Sequence, residues 1–261
     1  MNLIFFQNIF LVISCVWLFS LILILFKKNS IGVLFATIGT LLLLFFMVKL
    51  WVKIDRPPMR TLGETRLWYA LFLPSIGLLI YAKWKYTWFL LYTVLMAWIF
   101  LFINYLHLEN FSKTLMPALQ SIWFIPHVLV YMIAYALLAA SSLVAFKNLI
   151  NSKKNQFIET IVLADQLVYV GFSFLTLGLL FGALWAKTAW GSYWTWDPKE
   201  VWAFLTWLAY LIYLHYRFFK PIEIKKANWM LVLAFVILLL CWFWVNYSPI
   251  AKNSVHTYTN Y

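Results

Sequence analysis

The chain has 261 residues, of which 65% are hydrophobic and only 11% are charged, and its mean hydropathy is +0.87. Soluble domains are about half apolar and about one quarter charged, so this composition excludes an ordinary soluble protein and predicts a polytopic membrane protein. The net charge of +12 does not indicate nucleic-acid binding, because the Lys and Arg residues form short clusters between apolar runs, where such residues orient helices and meet lipid headgroups.

The apolar runs predict an all-α polytopic membrane protein with about eight transmembrane helices in one bundle. A spanning helix needs about 20 mostly apolar residues, and a lipid-facing β-barrel would need short alternating segments instead. The predicted spans are residues 5–26, 31–52, 67–82, 86–105, 127–148, 163–185, 200–218 and 228–247. The third is the weakest, since it is short and contains Pro74. Both cysteines, Cys15 and Cys241, lie inside apolar runs, so neither thiol redox chemistry nor a cysteine–zinc site is expected.

Eight spans place both termini on the same side of the membrane. We divide the chain into an N-terminal four-helix membrane region, residues 1–115, and a second membrane region, residues 116–261. The loops after spans one, three, five and seven hold eleven of the 20 Lys and Arg residues, with the clearest excess in the C-terminal half. By the positive-inside rule, those loops are cytoplasmic, and both termini are extracytoplasmic.

Tryptophan is concentrated in the stretch "WAKTAWGSYWTWDPKEVWAFLTW", Trp185 to Trp207, which holds six of the 16 tryptophans and lies on the extracytoplasmic side. Part of this stretch has a structural interpretation. Asp197 suits the N-cap of span seven, Pro198 its first helical position and Glu200 the third, so that the four residues form a start similar to a capping box.

The tryptophans themselves have two interpretations. Indoles often form a belt at the membrane interface, but Trp207 lies about two turns below the surface, beyond such a belt. The predicted topology also places His107, His127 and His256 on the same side as the tryptophans. A shelf of indoles with histidines from separate helices suits a flat apolar macrocycle with a metal centre, and haem fits this description better than zinc. Each histidine could instead be a hydrogen-bonded interface residue.

His215 differs from the other histidines, because it lies about 15 residues into span seven, roughly 22 Å along the helix axis. An ionisable side chain at such a depth is costly and indicates a function. The alternative is that His215 and Arg217 extend together toward the cytoplasmic boundary.

The strongest resemblance to known proteins lies in "WGSYWTWDPKEVWAFLTW", which is similar to the WWD motif of the CcsA/ResC proteins of cytochrome c biogenesis. These belong to a haem-handling family that also includes CcmC and CcmF. "PALQSIWFIPHVLVYMIAYALL" resembles the segment around the family's first external histidine, "YLHYR" its in-membrane histidine and "VHTYT" its second external histidine. The resemblance covers residues 116–258 well and the first hundred residues only loosely.

The resemblance implies that residues 116–261 form a haem-handling membrane domain. His127 and His256 would be axial ligands of a haem at the outer face, and His215 would belong to an earlier haem site within the membrane. The predicted haem-contacting residues of the Trp-rich loop, residues 185–202, are Trp190, Trp194, Trp196, Asp197 and Trp202. The family's in-membrane site has two histidines, yet no histidine precedes His107 in this chain. A CcsB-like partner would therefore supply the second ligand.

The resemblance also implies a function: a haem-channelling subunit of a system II cytochrome c synthase in the bacterial inner membrane. With CcsB it would act as a haem lyase, presenting haem b, its transported substrate, to the CxxCH site of apocytochrome c. One alternative is a haem exporter or delivery module of the CcmC type without a synthase role. Another is a structural membrane anchor with an ordinary aromatic belt.

Overall fold

A computed structural model of the chain describes residues 3–59, 61–106, 121–150 and 157–247. It confirms an all-α membrane protein. The described residues form eight α-helices: α1 (Leu3–Leu25), α2 (Asn29–Ile54), α3 (Leu62–Trp84), α4 (Thr87–Leu106), α5 (Phe124–Ile150), α6 (Phe157–Trp190), α7 (Pro198–Phe219) and α8 (Ile224–Trp242). A single 3-10 turn, Trp244–Tyr247, follows α8. Each predicted span overlaps one helix, and the backbone divides into two compact units, residues 1–119 and 120–261.

In the first unit, α1 packs against α2 and α4, and α3 packs against α2 and α4. The backbones of α1 and α2 approach closely because glycines of α2 face larger side chains of α1. A Cβ atom on Gly39 would lie 2.4 Å from the indole of Trp17, which is fully buried. Two turns away, the Ser20 hydroxyl donates a hydrogen bond of 2.6 Å to the carbonyl of Gly32. These pairs fix an antiparallel hairpin with close backbones.

Helix α3 is longer than the predicted span, for a local reason. Thr61 and Glu64 form a complete capping box that starts the helix five residues before the predicted position. The guanidinium of Arg56 holds the same Glu64 carboxylate through two hydrogen bonds of 2.8 and 2.9 Å. Pro74 does not end the helix, and the neighbouring Ser75 hydroxyl donates to the carbonyl of Leu71, as serine commonly does beside breaks in membrane helices.

In the second unit, α5 packs against α6 and α8, and α7 packs against α6 and α8. Seven of the described helices are long and apolar enough to cross a membrane, and α7 is not among them by composition. Its contacts nevertheless extend over its whole length. Near its start, Trp202 lies 5.8 Å from Trp244 between ring centroids. In its middle, the Trp207 indole N–H donates to the Thr176 hydroxyl of α6, and at its end Arg217 reaches α6.

The contact at the end of α7 is an ion pair inside the second unit. Arg217 donates from Nε to Asp165 Oδ1 at 3.1 Å and from Nη2 to Oδ2 at 2.8 Å, while the Tyr213 hydroxyl donates to the same carboxylate. Both charged side chains are largely buried. Arg217 therefore pairs with Asp165 on α6, which corrects the alternative interpretation in which it extends beside His215. The pattern of the sequence did not predict this pairing.

The turn between α7 and α8 is held by Glu223. Its carboxylate accepts a hydrogen bond from Lys226 at 2.7 Å and another from the Tyr216 hydroxyl at 2.7 Å. Both interactions favour the ionised form, so they lower the pKa of Glu223. The turn thus joins α7 and α8 at the end opposite the Trp202–Trp244 contact.

Candidate functional site

His127 lies in the first turn of α5, against the C-terminal part of α6. Its Nδ1 atom is 2.8 Å from the carbonyl oxygen of Gly178. A carbonyl oxygen can only accept, so Nδ1 carries the hydrogen and donates it. In the neutral ring the lone pair is then on Nε2, which is the tautomer that binds a metal through that atom. The packing of α5 on α6 therefore selects the form of this imidazole.

Aromatic side chains surround the ring of His127. Tyr131 meets it edge-on, with centroids 4.7 Å apart, and Trp185 lies 5.3 Å away at an angle of 35°. Trp185 in turn contacts Trp190 at 4.8 Å and Phe124 at 5.1 Å. The structure thus brings one predicted iron ligand into contact with the start of the Trp-rich stretch.

The Trp-rich loop is shorter than predicted. Helix α6 continues to Trp190 and α7 begins at Pro198, so the connection is residues 191–197 and not 185–202. Gly191 ends α6 in a left-handed conformation, with φ of +84°, and its N–H bonds to the carbonyl of Lys187. A glycine in this position is a common helix terminator. Trp190 is consequently the last residue of α6, and Trp202 lies within α7, so neither belongs to the connection.

The remaining predicted tryptophans form two pairs. Within the connection, Trp194 and Trp196 pack edge to face with centroids 5.8 Å apart. Trp196 has a positive φ of +59° and is 68% exposed, which is unusual for a bulky residue. Trp202 pairs with Trp244, beyond the end of α8. The predicted haem-contacting indoles are thus arranged in three groups: the one around His127 and these two pairs.

The prediction that Asp197 starts α7 is confirmed. Its carboxylate accepts from the Lys199 N–H at 3.0 Å, and Glu200 accepts from the Asp197 N–H at 3.1 Å, completing a capping box. Glu200 also accepts from the Thr195 N–H at 2.8 Å. Both carboxylates are buried and lie at the positive end of the helix dipole, where negative charge is stabilised. They hold the end of the 191–197 connection in one conformation.

His215 lies in the last two turns of α7 and is exposed. Its Nδ1 atom donates to the carbonyl of Leu211, one turn earlier, at 2.9 Å. Tyr213 and Arg217, which bond to Asp165, lie on roughly the opposite face of the helix, since successive residues are about 100° apart. The ion pair thus directs His215 away from α6. An open groove of about 450 Å³ follows this exposed face.

Two histidines, His107 and His256, lie outside the described residues, so the predicted second outer ligand has no structural description here. Among the described residues, no group of three or more His, Cys, Asp and Glu side chains could hold a metal ion. Sequence reasoning missed three residues that shape the site: Gly178, Asp165 and Tyr213. For Asp165 a signal existed, because an acidic residue inside an apolar run is rare.

Comparison with known proteins gives consistent matches. Residues 5–251 match the model of the family described as cytochrome C assembly protein. The chain is similar to the cytochrome c biogenesis protein CcsA of Mesostigma viride, with 32% identity over 278 residues, covering 90% of this chain and 89% of that protein.

Other relatives match over a shorter length. The CcsA protein of Chlamydomonas reinhardtii is 41% identical over 156 residues, which cover 56% of this chain and 43% of that protein. The CcsA protein of Guizotia abyssinica is 34% identical over 192 residues, which cover 56% of this chain and 60% of that protein. In these two cases the match spans less than two thirds of the relative.

Proposed function

Because the chain belongs to the cytochrome C assembly protein family, we propose that it is the haem-channelling subunit of a cytochrome c synthase. Its transported substrate would be haem b, and the acceptor would be the CxxCH site of an apocytochrome c. Residues 116–261 would handle the haem, together with a CcsB-like membrane protein. We place the protein in the bacterial inner membrane, with both termini and the 191–197 connection on the extracytoplasmic side.

The observation that carries this proposal is the environment of His127. Its ring donates through Nδ1 to the Gly178 carbonyl and lies against the indole of Trp185. Haem iron binds neutral imidazole, and the faces of the macrocycle pack well on aromatic side chains. We assign His127 to one axial position of the haem and His256 to the other. Trp190, Trp194, Trp196 and Trp202 would bound the haem, and Asp197 would hold the connection beside it.

The role of the protein in this reaction would be positioning and not acid–base catalysis. Each thioether forms when a cysteine sulfur bonds to one carbon of a haem vinyl group and the thiol hydrogen moves to the other carbon. The addition therefore consumes no oxidant. Two axial histidines would fix the plane of the haem, and contacts with the indoles would restrict its rotation about the iron–ligand axis, so that its vinyl groups could be presented to the cysteines in reactive geometry. Histidine ligation also sets the reduction potential of the iron.

We assign His215 to an earlier haem site, within the membrane. The ion pair of Arg217 with Asp165 fixes one face of α7. His215 lies exposed on the opposite face, in a groove lined by mostly apolar side chains together with Lys220. Lipid is a poor environment for an imidazole, whereas a haem and a second ligand from the CcsB-like partner would satisfy it. In this arrangement haem passes from His215 to the outer site.

The test uses the full chain purified with its partner. We expect His127→Ala and His256→Ala each to weaken the haem absorption bands and to stop formation of c-type cytochrome. His107→Ala is the matched control, because no haem role is predicted for that histidine. If both ligand variants keep the spectrum and the cytochrome yield of the unmodified protein, the assignment is wrong.

The same preparation separates this function from the alternatives. Haem binding without thioether formation, when both partner and apocytochrome are supplied, would indicate a delivery module. A membrane anchor would bind no haem. In that case Trp194→Phe and Trp196→Phe would leave the yield of cytochrome unchanged. For a synthase subunit we expect these two substitutions to lower the yield of cytochrome.

A further inference from the structure

We propose that Gly182 and the backbone carbonyl of Gly178 are positioning groups that fix the tautomer and direction of the His127 imidazole. The geometry is independent of any ligand, but its functional meaning rests on the proposed role of His127 as a haem ligand. The orientation of a metal-binding histidine is usually set by a carboxylate or backbone carbonyl that accepts a hydrogen bond from its other ring nitrogen. Here the acceptor is the Gly178 carbonyl, which also takes part in the backbone hydrogen bonds of helix α6.

Access to the Gly178 carbonyl requires a glycine at position 182. In an α-helix, residue i+4 lies directly above the carbonyl of residue i, so a side chain at position 182 would cover the Gly178 oxygen. A Cβ atom on Gly182 would lie 2.7 Å from His127 Cε1 and 2.8 Å from Nδ1. Such distances are too short for real contacts. The imidazole therefore occupies the volume that any other residue would fill with its side chain.

The Gly178 carbonyl accepts a second hydrogen bond, from the His127 ring. A carbonyl oxygen has two lone pairs, and in α6 one of them accepts the helical N–H of Gly182. The other accepts His127 Nδ1–H, at 2.8 Å. This second bond requires the hydrogen on Nδ1 and leaves the lone pair of the neutral ring on Nε2. Both the direction and the protonated nitrogen of the ring are therefore set by α6.

Gly178 also makes room for the aromatic neighbour of the His127 ring. A Cβ atom on Gly178 would lie 2.9 Å from Tyr131 Cδ1, so this glycine makes room for Tyr131, which meets His127 edge-on. Gly171, further down the same helix, is also tightly packed, because a Cβ atom on it would lie 2.9 Å from Leu138 Cδ2. It contacts no part of His127 that the structure describes. Gly171 thus provides a steric control in the same pair of helices.

The first experiment measures the tautomer directly, in the full chain with its partner, without haem. Histidine ¹⁵N magnetic resonance distinguishes Nδ1–H from Nε2–H, and His127→Gln assigns the signal. We expect the Nδ1–H form in the unmodified protein. A ring found mainly as Nε2–H would overturn the proposal, and this measurement needs no variant that could fail to fold.

The second experiment compares Gly182→Ala with Gly171→Ala. We expect Gly182→Ala to abolish the uniform Nδ1–H signal and to weaken haem affinity about 10- to 100-fold, as is typical when a ligand's supporting partner is lost. Gly171→Ala should change neither. Equal effects of the two variants, or an unchanged tautomer in Gly182→Ala, would contradict a positioning role.

The outcomes separate this proposal from the proposed function. If His127→Ala binds haem normally while Gly182→Ala still changes the tautomer, the positioning of the ring stands and the haem assignment fails. If His127→Ala loses haem while Gly182→Ala keeps the tautomer and the affinity, the haem assignment stands and the positioning role fails.

Discussion

His127 and His215 each donate from Nδ1 to a backbone carbonyl, but the carbonyls differ in origin. For His215 the acceptor is Leu211 in the same helix, four residues and one turn earlier. For His127 it is Gly178 on another helix, 51 residues away. The orientation of His215 is thus built into its own helix, whereas that of His127 depends on how α5 packs against α6. Substitutions between these helices should therefore change the orientation of His127 more than that of His215.

A side-chain hydrogen bond between described residues joins the middle of α7 to α6. The Trp207 indole N–H donates to the Thr176 hydroxyl at 2.9 Å, and we expect Trp207→Phe and Thr176→Val each to lower the free energy of unfolding by about 1 kcal/mol. The double variant should lose less than the sum of the two, because both remove the same bond. Denaturation in mixed detergent micelles measures this. Additive losses would indicate that the bond contributes nothing.

The ion pair between Asp165 and Arg217 should be the most sensitive point of the second unit. We expect Asp165→Asn to lower the free energy of unfolding by about 3–5 kcal/mol, because it leaves a largely buried guanidinium without its counter-charge. The control is the double variant Asp165→Leu with Arg217→Met, which removes both charges and should be closer to the unmodified protein. Detergent denaturation and the yield of folded protein measure the stability of the variants, and we expect the double variant to be more stable than Asp165→Asn. A double variant less stable than Asp165→Asn would contradict it.

Among the helices, α7 depends most on its first turn, because its composition is the least apolar. We expect Asp197→Ala to cost about 1 kcal/mol and to speed hydrogen exchange of the amides at the start of α7. Asp197→Ser is the matched control, since serine also caps helices well. If Asp197 acts only as a cap, Asp197→Ser keeps haem binding. Loss of haem in Asp197→Ser with normal exchange would show that the carboxylate has a direct role.

The elements that depend on neighbouring residues were predictable from the sequence, and the contacts between distant residues were not. The capping box of α7 needs only Asp197 to Glu200, so its pattern is visible in the chain. The ion pair joins residues 52 apart, and nothing local indicates which cation Asp165 meets. Gly178 is similar, because its importance lies in a carbonyl that every residue has. For His256 the sequence remains the only source of its assignment.

At the scale of the whole molecule, the sides of the membrane on which the turn after Phe219 and the end of α8 lie depend on whether α7 crosses the membrane. If α7 did not cross, the connection 191–197 and the turn after Phe219 would lie on the same side, and α8 would be reversed. By composition, α7 is not among the helices that are apolar enough to cross a membrane. Its contacts with Trp244, just after α8, near its start and with α6 near its end favour a full crossing. At about 1.5 Å per residue, its 22 residues span roughly 33 Å, about the thickness of the hydrocarbon layer.

We therefore expect cysteines on the two sides of α7 to react from opposite sides of the membrane. In a background with Cys15→Ser and Cys241→Ala, Tyr193→Cys should react with an impermeant maleimide added to the outside of intact cells. Ile222→Cys, at a residue 90% exposed in the turn, should react only after the membrane is opened. Asp55→Cys and Lys28→Cys are the controls for the first unit, with outer and inner labelling respectively. Outer labelling of both Tyr193→Cys and Ile222→Cys would mean that α7 does not cross, and would require the predicted direction of α8 to be reversed.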